Sequence, residues 1–217
     1  MYLSRVRLDT TRRGTMKALA SPNLFHGAIE RAFPGGRERN LWRVDTVGGA
    51  TWLLILSPQR PDLSGVAAQF GAEGQIDAWE TKDYEPLLRR TTEGSCWHFR
   101  LTANPTISRA PDGDARGKVY GHITTAFQEK WLMDRAEKHG FQIEDSGFMV
   151  VGSRWLHFRK GTDGGRPVTL MAATYEGTLT VTDAALFRGV LTDGLGRGKA
   201  YGLGMMTVAG MREQANG

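Results

Sequence analysis

Five histidines, one cysteine and a glycine-rich segment are the residues whose types and spacing could carry chemistry in this 217-residue chain. His26 stands out. It follows Ser21-Pro22, a helix-start signal with serine as cap and proline in the first turn. Leu24, Phe25, Ala28, Ile29, Ala32 and Phe33 then recur at helical spacing. At 100° per residue His26 falls roughly 110° from the centre of that apolar face, on its flank. A flank imidazole can reach a bound molecule, and it titrates near neutrality, so it can take or give a proton. Cations follow it in Arg31, Arg37 and Arg39. A lone helical histidine is usually just a surface residue.

The glycine-rich segment runs from Gly194 through Gly196, Gly198 and Gly202 to Gly204. It misses the dinucleotide fingerprint, because the sixth position from Gly194 is Lys199. It misses the phosphate-binding P-loop too, having Asp193 and Ala200 where Gly and Ser/Thr are required. What remains is a backbone that must come very close to something. Arg197 and Lys199 make that something an anion, with a tight structural turn as the plainer alternative.

A third group is Arg154, Arg159 and Lys160, with Arg166 beyond a glycine-rich tip. A basic hairpin of this kind can contact a duplex backbone, or simply be an edge hairpin kept soluble by charge. His98 and His157 alternate with apolar neighbours on strands and should face outward. His122 and His139 flank a helix, where capping suffices. No metal-ligand spacing of histidines or cysteines occurs, so no metal is expected. Cys96 has no partner for an intrachain disulfide, which fits a reducing compartment.

Elements must position these residues. A period-two strand is predicted over 2–8, the His26 helix up to Pro34-Gly35-Gly36, and strands over 39–46 and 51–57 joined at Gly48-Gly49. A short helix follows at 62–69; within 71–94 only a strand over 75–81 is proposed. A second series starts with a strand at 96–103 and a loop over 104–121. A helix from Ile123 to His139 stops at Gly140. Strands over 141–151 and 154–160 are expected around a turn at Gly152-Ser153, then a strand over 167–181 broken at Glu176-Gly177. Asp183 caps a helix to Leu191, and a last strand occupies 203–209. Both halves read strand–helix–strand–strand–helix–strand. The fold class is α+β, with two tandem ferredoxin-like (RRM-like) domains over 1–90 and 95–217.

The net charge is +5, and its placement is uneven: residues 1–43 hold nine Lys/Arg against three acids, leaving the rest near −1. Such clustering fits a polyanion partner, and equally a basic but inert protein. No apolar run approaches the ~20 residues of a membrane helix, and the N-terminus has no apolar leader.

The ordered set of motifs resembles the CRISPR-associated CasE endoribonuclease family of the RAMP superfamily. The likeness begins with MYLSRVRLD and Ser21-Pro22 with the helical His26. It continues through Arg39-Asn-Leu-Trp-Arg-Val-Asp45, Phe99-Arg-Leu-Thr-Ala-Asn-Pro105 and Tyr175-Glu-Gly-Thr-Leu-Thr-Val181, and closes at Gly196–Gly204. The resemblance implies a cytoplasmic, metal- and cofactor-independent enzyme that cleaves the CRISPR repeat hairpin RNA. Attack by a ribose 2′-OH would leave a 2′,3′-cyclic phosphate, and the product would stay bound among the other Cascade subunits. His26 matches the family's catalytic histidine, with Arg31 as a candidate helper. Candidate RNA contacts are Arg37, Arg39, Arg154, His157, Arg159, Lys160, Arg197 and Lys199. One departure is evident: some relatives carry a tyrosine three residues before the histidine, where this chain has Asn23. The competing readings are a non-catalytic RNA-binding module and a ferredoxin-like small-molecule enzyme; the latter has no use for the basic segments.

Overall fold

A computed structural model describes residues 1–33, 38–72, 78–109, 118–160 and 165–211. The N-terminal half contains β1 (Tyr2–Leu8), α1 (Arg13–Ala20), α2 (Asn23–Arg31), β2 (Leu41–Val47), β3 (Ala50–Ser57), α3 (Ser64–Phe70), β4 (Trp79–Asp83) and α4 (Glu85–Arg90). Its sheet order is β2-β3-β1-β4, all antiparallel, which is the ferredoxin-like arrangement. Along β1 the alternation sends Ser4, Val6 and Leu8 inward and Arg5 and Arg7 outward. The predicted apolar face of the His26 helix is buried, apart from the half-buried Leu24.

The C-terminal half contains β5 (Cys96–Ala103), β6 (Thr106–Arg109), β7 (Lys118–Gly121), α5 (Thr125–Ala136), β8 (Phe141–Gln142), β9 (Phe148–Arg159), β10 (Pro167–Val181), α6 (Ala184–Asp193) and β11 (Met206–Gly210). The order β11-β5-β10-β8, with β9 also paired to β10, repeats the same plan. Gly140 ends the α5 segment in the left-handed region at φ 75°, as expected of a helix-stop glycine. Asp183 accepts hydrogen bonds from the Ala185 and Leu186 amides, a cap worth about 1 kcal/mol.

Several expectations need correction. The first helical region is two helices, because α1 precedes Ser21. Ser21 caps no turn with its hydroxyl; its carbonyl accepts from the Leu24 amide at 2.9 Å. Residues 104–121 include a ribbon, β6 with β7, where a loop was expected. Residues 148–159 form one strand through Gly152-Ser153. The register shift opposite Thr174/Tyr175 accommodates an extra residue as a bulge, so the glycine bends the strand without ending it. β10 likewise runs unbroken through Glu176-Gly177, since both residues are paired on each side, to β5 and to β9. A Cβ on Gly177 would lie 2.3 Å from the Gly147 carbonyl oxygen, so this glycine serves close packing and not a strand break.

One apolar cluster spans both halves, beside a second that belongs to the N-terminal half alone. Leu41 and Leu56 of the first sheet and Leu88 of α4 pack in the same cluster as Leu101, Tyr175 and Phe187. Arg43 and Asp45 lie on the face of β2 that meets the second sheet, both buried. The Arg43 guanidinium donates to both Asp45 carboxylate oxygens, to the carbonyls of Arg100 and Met205 at 2.9 and 2.8 Å, and to Thr207 Oγ1 at 2.8 Å. All its donor groups are thereby used, which a buried charge requires.

Candidate active site at helix α2 and the glycine-rich loop

Helix α2 packs against a 3-10 turn, Lys199–Tyr201, inside the glycine-rich loop. The five glycines singled out from the sequence, Gly194, Gly196, Gly198, Gly202 and Gly204, all have φ between 75° and 92°. The close approach that they permit is to the protein's own side chains and backbone, at two of them to tryptophan rings. A Cβ on Gly202 would lie 2.6 Å from the Trp42 ring, and one on Gly196 would lie 3.0 Å from Trp131. Trp42 in turn meets Phe25 of α2 edge-on at 5.8 Å. The loop thus clamps α2 and β2 to the second half, and the tight-turn reading of its glycines is the one the geometry supports.

The loop also carries charge. Lys199 is half-buried, and its pKa is lowered first by that burial and second by the neighbouring Arg39 guanidinium, with Asp193 acting the other way. Lys199 and Arg39, two cations predicted to meet RNA, thus feel each other's charge although 160 positions separate them in the chain. Arg197 is exposed and its backbone bridges to Asn104. Arg37 lies outside the described residues.

His26 sits on the exposed flank of α2, its side chain 40% accessible. Its Nδ1 is 3.9 Å from Glu30 Oε1, one turn along the helix. Glu30 was not singled out from the sequence, although its i, i+4 spacing was the signal. A carboxylate there can orient the imidazole. Arg31 is directed elsewhere: it reaches across Gly27 and donates to Gln69 of α3 at 3.2 Å. Five helical positions put it about 140° around the axis from His26, so the structure does not bring the two together. Asn23 Oδ1 is buried with no hydrogen-bond partner among the described residues.

Beside α2, Pro22 and Phe25 line a recess whose other walls are Arg154 and Leu156 of β9 and Tyr201 of the loop. Tyr201 is thus a phenol that the fold delivers to this side of α2, and nothing in its sequence position announces that. Its ring packs against Phe158 at 4.8 Å. The basic hairpin is divided by strand alternation. Arg154 shares the inner face with Leu156 and Phe158, whereas His157 and Arg159 take the outer face. Lys160 is exposed at the tip. Among the described residues no three His, Cys, Asp or Glu side chains gather as a metal site would need. No helix among them is long and apolar enough to cross a membrane.

Fold and site together define an α+β protein of two tandem ferredoxin-like units joined through a glycine-rich loop. A family model described as CRISPR associated protein matches residues 1–210. The chain is 31% identical over 222 residues to the CRISPR-associated endoribonuclease Cse3 of Thermus thermophilus, covering 96% of this chain and 100% of that one. The structure of Cse3 bound to 19 nt RNA superposes with a TM-score of 0.79 at 29% identity, covering 96% of this chain and 100% of the other. Thermus thermophilus Cse3 bound to an RNA representing a pre-cleavage complex gives 0.78 at 26% identity, covering 96% and 98%. Cas6e from Escherichia coli shares the fold, with a TM-score of 0.67 at 23% identity over 97% of this chain and 100% of that one. The chain belongs to the CRISPR-associated protein family, as the ordered motifs of its sequence imply.

Proposed function

We propose that this chain is a cytoplasmic endoribonuclease that cuts CRISPR precursor RNA at the repeat hairpin. It then keeps the product as a subunit of a Cascade surveillance assembly. The observation that carries this reading is the end-to-end match to an endoribonuclease of the family, with His26 on the open flank of α2, the helix against which the glycine-rich loop packs. We assign residues 1–90 and 95–217 as its two domains, with one apolar cluster reaching across both.

In the proposed reaction the ribose 2′-oxygen attacks the adjacent phosphorus and the bond from phosphorus to the 5′-oxygen breaks. The 2′-OH loses a proton and the 5′-oxygen gains one, so no net proton is consumed. His26 moves one of these protons, with Glu30 orienting it, a contribution of roughly 10²–10⁴-fold in rate. Arg39 and Lys199 offset the charge that builds on the phosphorane. Arg154 lies on the same side of β9 as the recess, and Arg159, Lys160 and His157 meet the stem by shape and phosphate contact, because an A-form stem hides its base edges. Arg37, Arg197 and Arg31 remain outlying candidates, Arg31 acting through α3 and not on the reacting atoms.

His26→Ala tests the assignment. The side chain is on the surface, so its loss opens no core cavity, and the variant should fold and hold the hairpin nearly as tightly as the parent. Cleavage should fall by at least about two orders of magnitude. A 2′-deoxy nucleotide just upstream of the scissile phosphate should block the parent enzyme, and chelator should not. Unchanged cleavage by His26→Ala would remove the assigned site; a deoxy substrate that is still cut would make water the nucleophile. Asn23 favours one second reading, a non-cleaving RNA-binding module. That reading expects ribose and deoxy hairpins to be bound alike and neither to be cut.

A further inference from the structure

The outer face of β9 presents a surface that the proposed cleavage chemistry does not use. Trp155, His157 and Arg159 share it, on the opposite side of the strand from Arg154. Trp155 and His157 are stacked, with centroids 6.1 Å apart and planes 27° from parallel, yet Trp155 remains 41% exposed. A second stack of the same kind stands beside the first. His122 and Phe127 lie 5.6 Å apart at 23°, and Phe127 is 57% exposed.

The two stacks adjoin. The Trp155 ring edge would be 3.3 Å from a Cβ on Gly121, the residue before His122. Gln128 fixes the junction from beneath: its amide donates to the His122 carbonyl and to Ser153 Oγ, both at 2.9 Å. The Tyr175 hydroxyl anchors the Gln128 carbonyl in turn at 3.1 Å. The rings are therefore mounted on a buried frame and held in place before any ligand arrives.

The electrostatics select the ligand. Residues 118–128 and 148–160 contain no Asp or Glu, and the second stretch ends in Arg159 on the outer face and Lys160 at the tip. An apolar protein partner has no use for a track that ends in exposed cations. Flat exposed rings leading to cations without carboxylates complement a strand with π-faces and phosphates. We infer that Trp155 and Phe127 stack unpaired nucleotides flanking the RNA hairpin, with Arg159 meeting the backbone phosphate where they leave the stem. The inference rests on the RNA-binding part of the proposed function and adds a single-strand track on the far side of β9 from the cleavage site.

The test compares affinities for three labelled RNAs, each made uncleavable by deoxyribose at the base of the stem. They are a stem-loop alone, the same stem-loop with about eight unpaired nucleotides added on either side, and that extension made abasic. The parent protein should bind the extended RNA about tenfold more tightly than the stem-loop, and the abasic extension should lose that gain. Trp155→Ala and Phe127→Ala should each remove most of the gain and leave the stem-loop affinity unchanged, while Trp155→Phe restores it. The part of the gain that the abasic extension loses should persist at salt concentrations that weaken stem binding, because stacking releases no counterions. An extension that adds nothing, an abasic strand that serves equally well, or a double alanine variant that keeps the gain would overturn the inference while leaving the cleavage reading intact. Failure of the parent to bind the bare stem-loop would overturn both. Both side chains are exposed, and thermal melts of the variants would show the fold unchanged.

Discussion

The glycine-rich loop and the β9–β10 hairpin have similar composition, glycine mixed with arginine and lysine, yet they are opposite in construction. The loop turns inward: its glycines bring backbone against Trp42 and Trp131, and Lys199 is half-buried beside Arg39. The hairpin turns outward: Arg154, His157, Arg159 and Lys160 are all exposed, and Gly152 has no atom near the place of a Cβ. In one region a small residue creates a contact and the cations are held in fixed positions. In the other a long paired strand supplies rigidity, and the cations are free to meet whatever lies outside. Basic composition says that an anion is near; burial says whether the region shapes the site or grips the ligand.

Substitutions on each side should separate those roles. The largest stability effect is expected for Arg43→Met, at the seam that the loop closes. It would leave the buried Asp45 with only the half-exposed Arg100, and removing one partner of a buried pair costs about 3 kcal/mol or more. Arg43→Lys should recover little, since one ammonium cannot serve the carboxylate, two carbonyls and a hydroxyl together. Urea denaturation measures both, and a midpoint shift too small to resolve for Arg43→Met would mean that the seam does not stabilise the fold.

Gly202→Ala comes next. Its Cβ would meet the Trp42 ring at 2.6 Å from a backbone at φ 76°, so overpacking and a left-handed conformation combine to about 2–4 kcal/mol. Gly152→Ala is the matched control on the hairpin and should change stability by about 0.5 kcal/mol or less. Equal effects at the two glycines would erase the contrast drawn above.

The hairpin should respond in binding and not in stability. Neutralising Arg159 and Lys160 together should leave the melting temperature nearly unchanged. It should flatten the slope of log K against log salt by about 0.7–0.9 for each RNA phosphate that the protein no longer neutralises. An unaltered slope would move the stem-binding surface toward Arg39 and Lys199.

Much of this architecture was legible in the chain itself. Period-two alternation in β1, the apolar stripe of α2, the glycine stop at Gly140 and the Asp183 cap are local, and each depends on neighbours within a few positions. The failures were also local in origin. Gly152 and Gly177 read as breaks because a glycine weakens a strand on its own, but pairing with β10, and with β5 and β9, holds the backbone extended. Helix α1 was missed because Arg12 and Arg13 give no capping signal and the helix has no strong apolar run. Only the chain's own numbering connects His26 with Glu30, and that spacing was there to be read.

The sequence by itself determined that the loop backbone must come very close to something, that α2 carries a histidine on its flank, and that cations gather at three places. Only the tertiary structure decided what the loop approaches, which cations meet, and which way the hairpin's charges point. The reason is range. Backbone conformation and helical phase are set within a few residues, whereas Trp42 under Gly202, Arg39 beside Lys199 and the recess between Pro22 and Tyr201 join segments more than 150 residues apart.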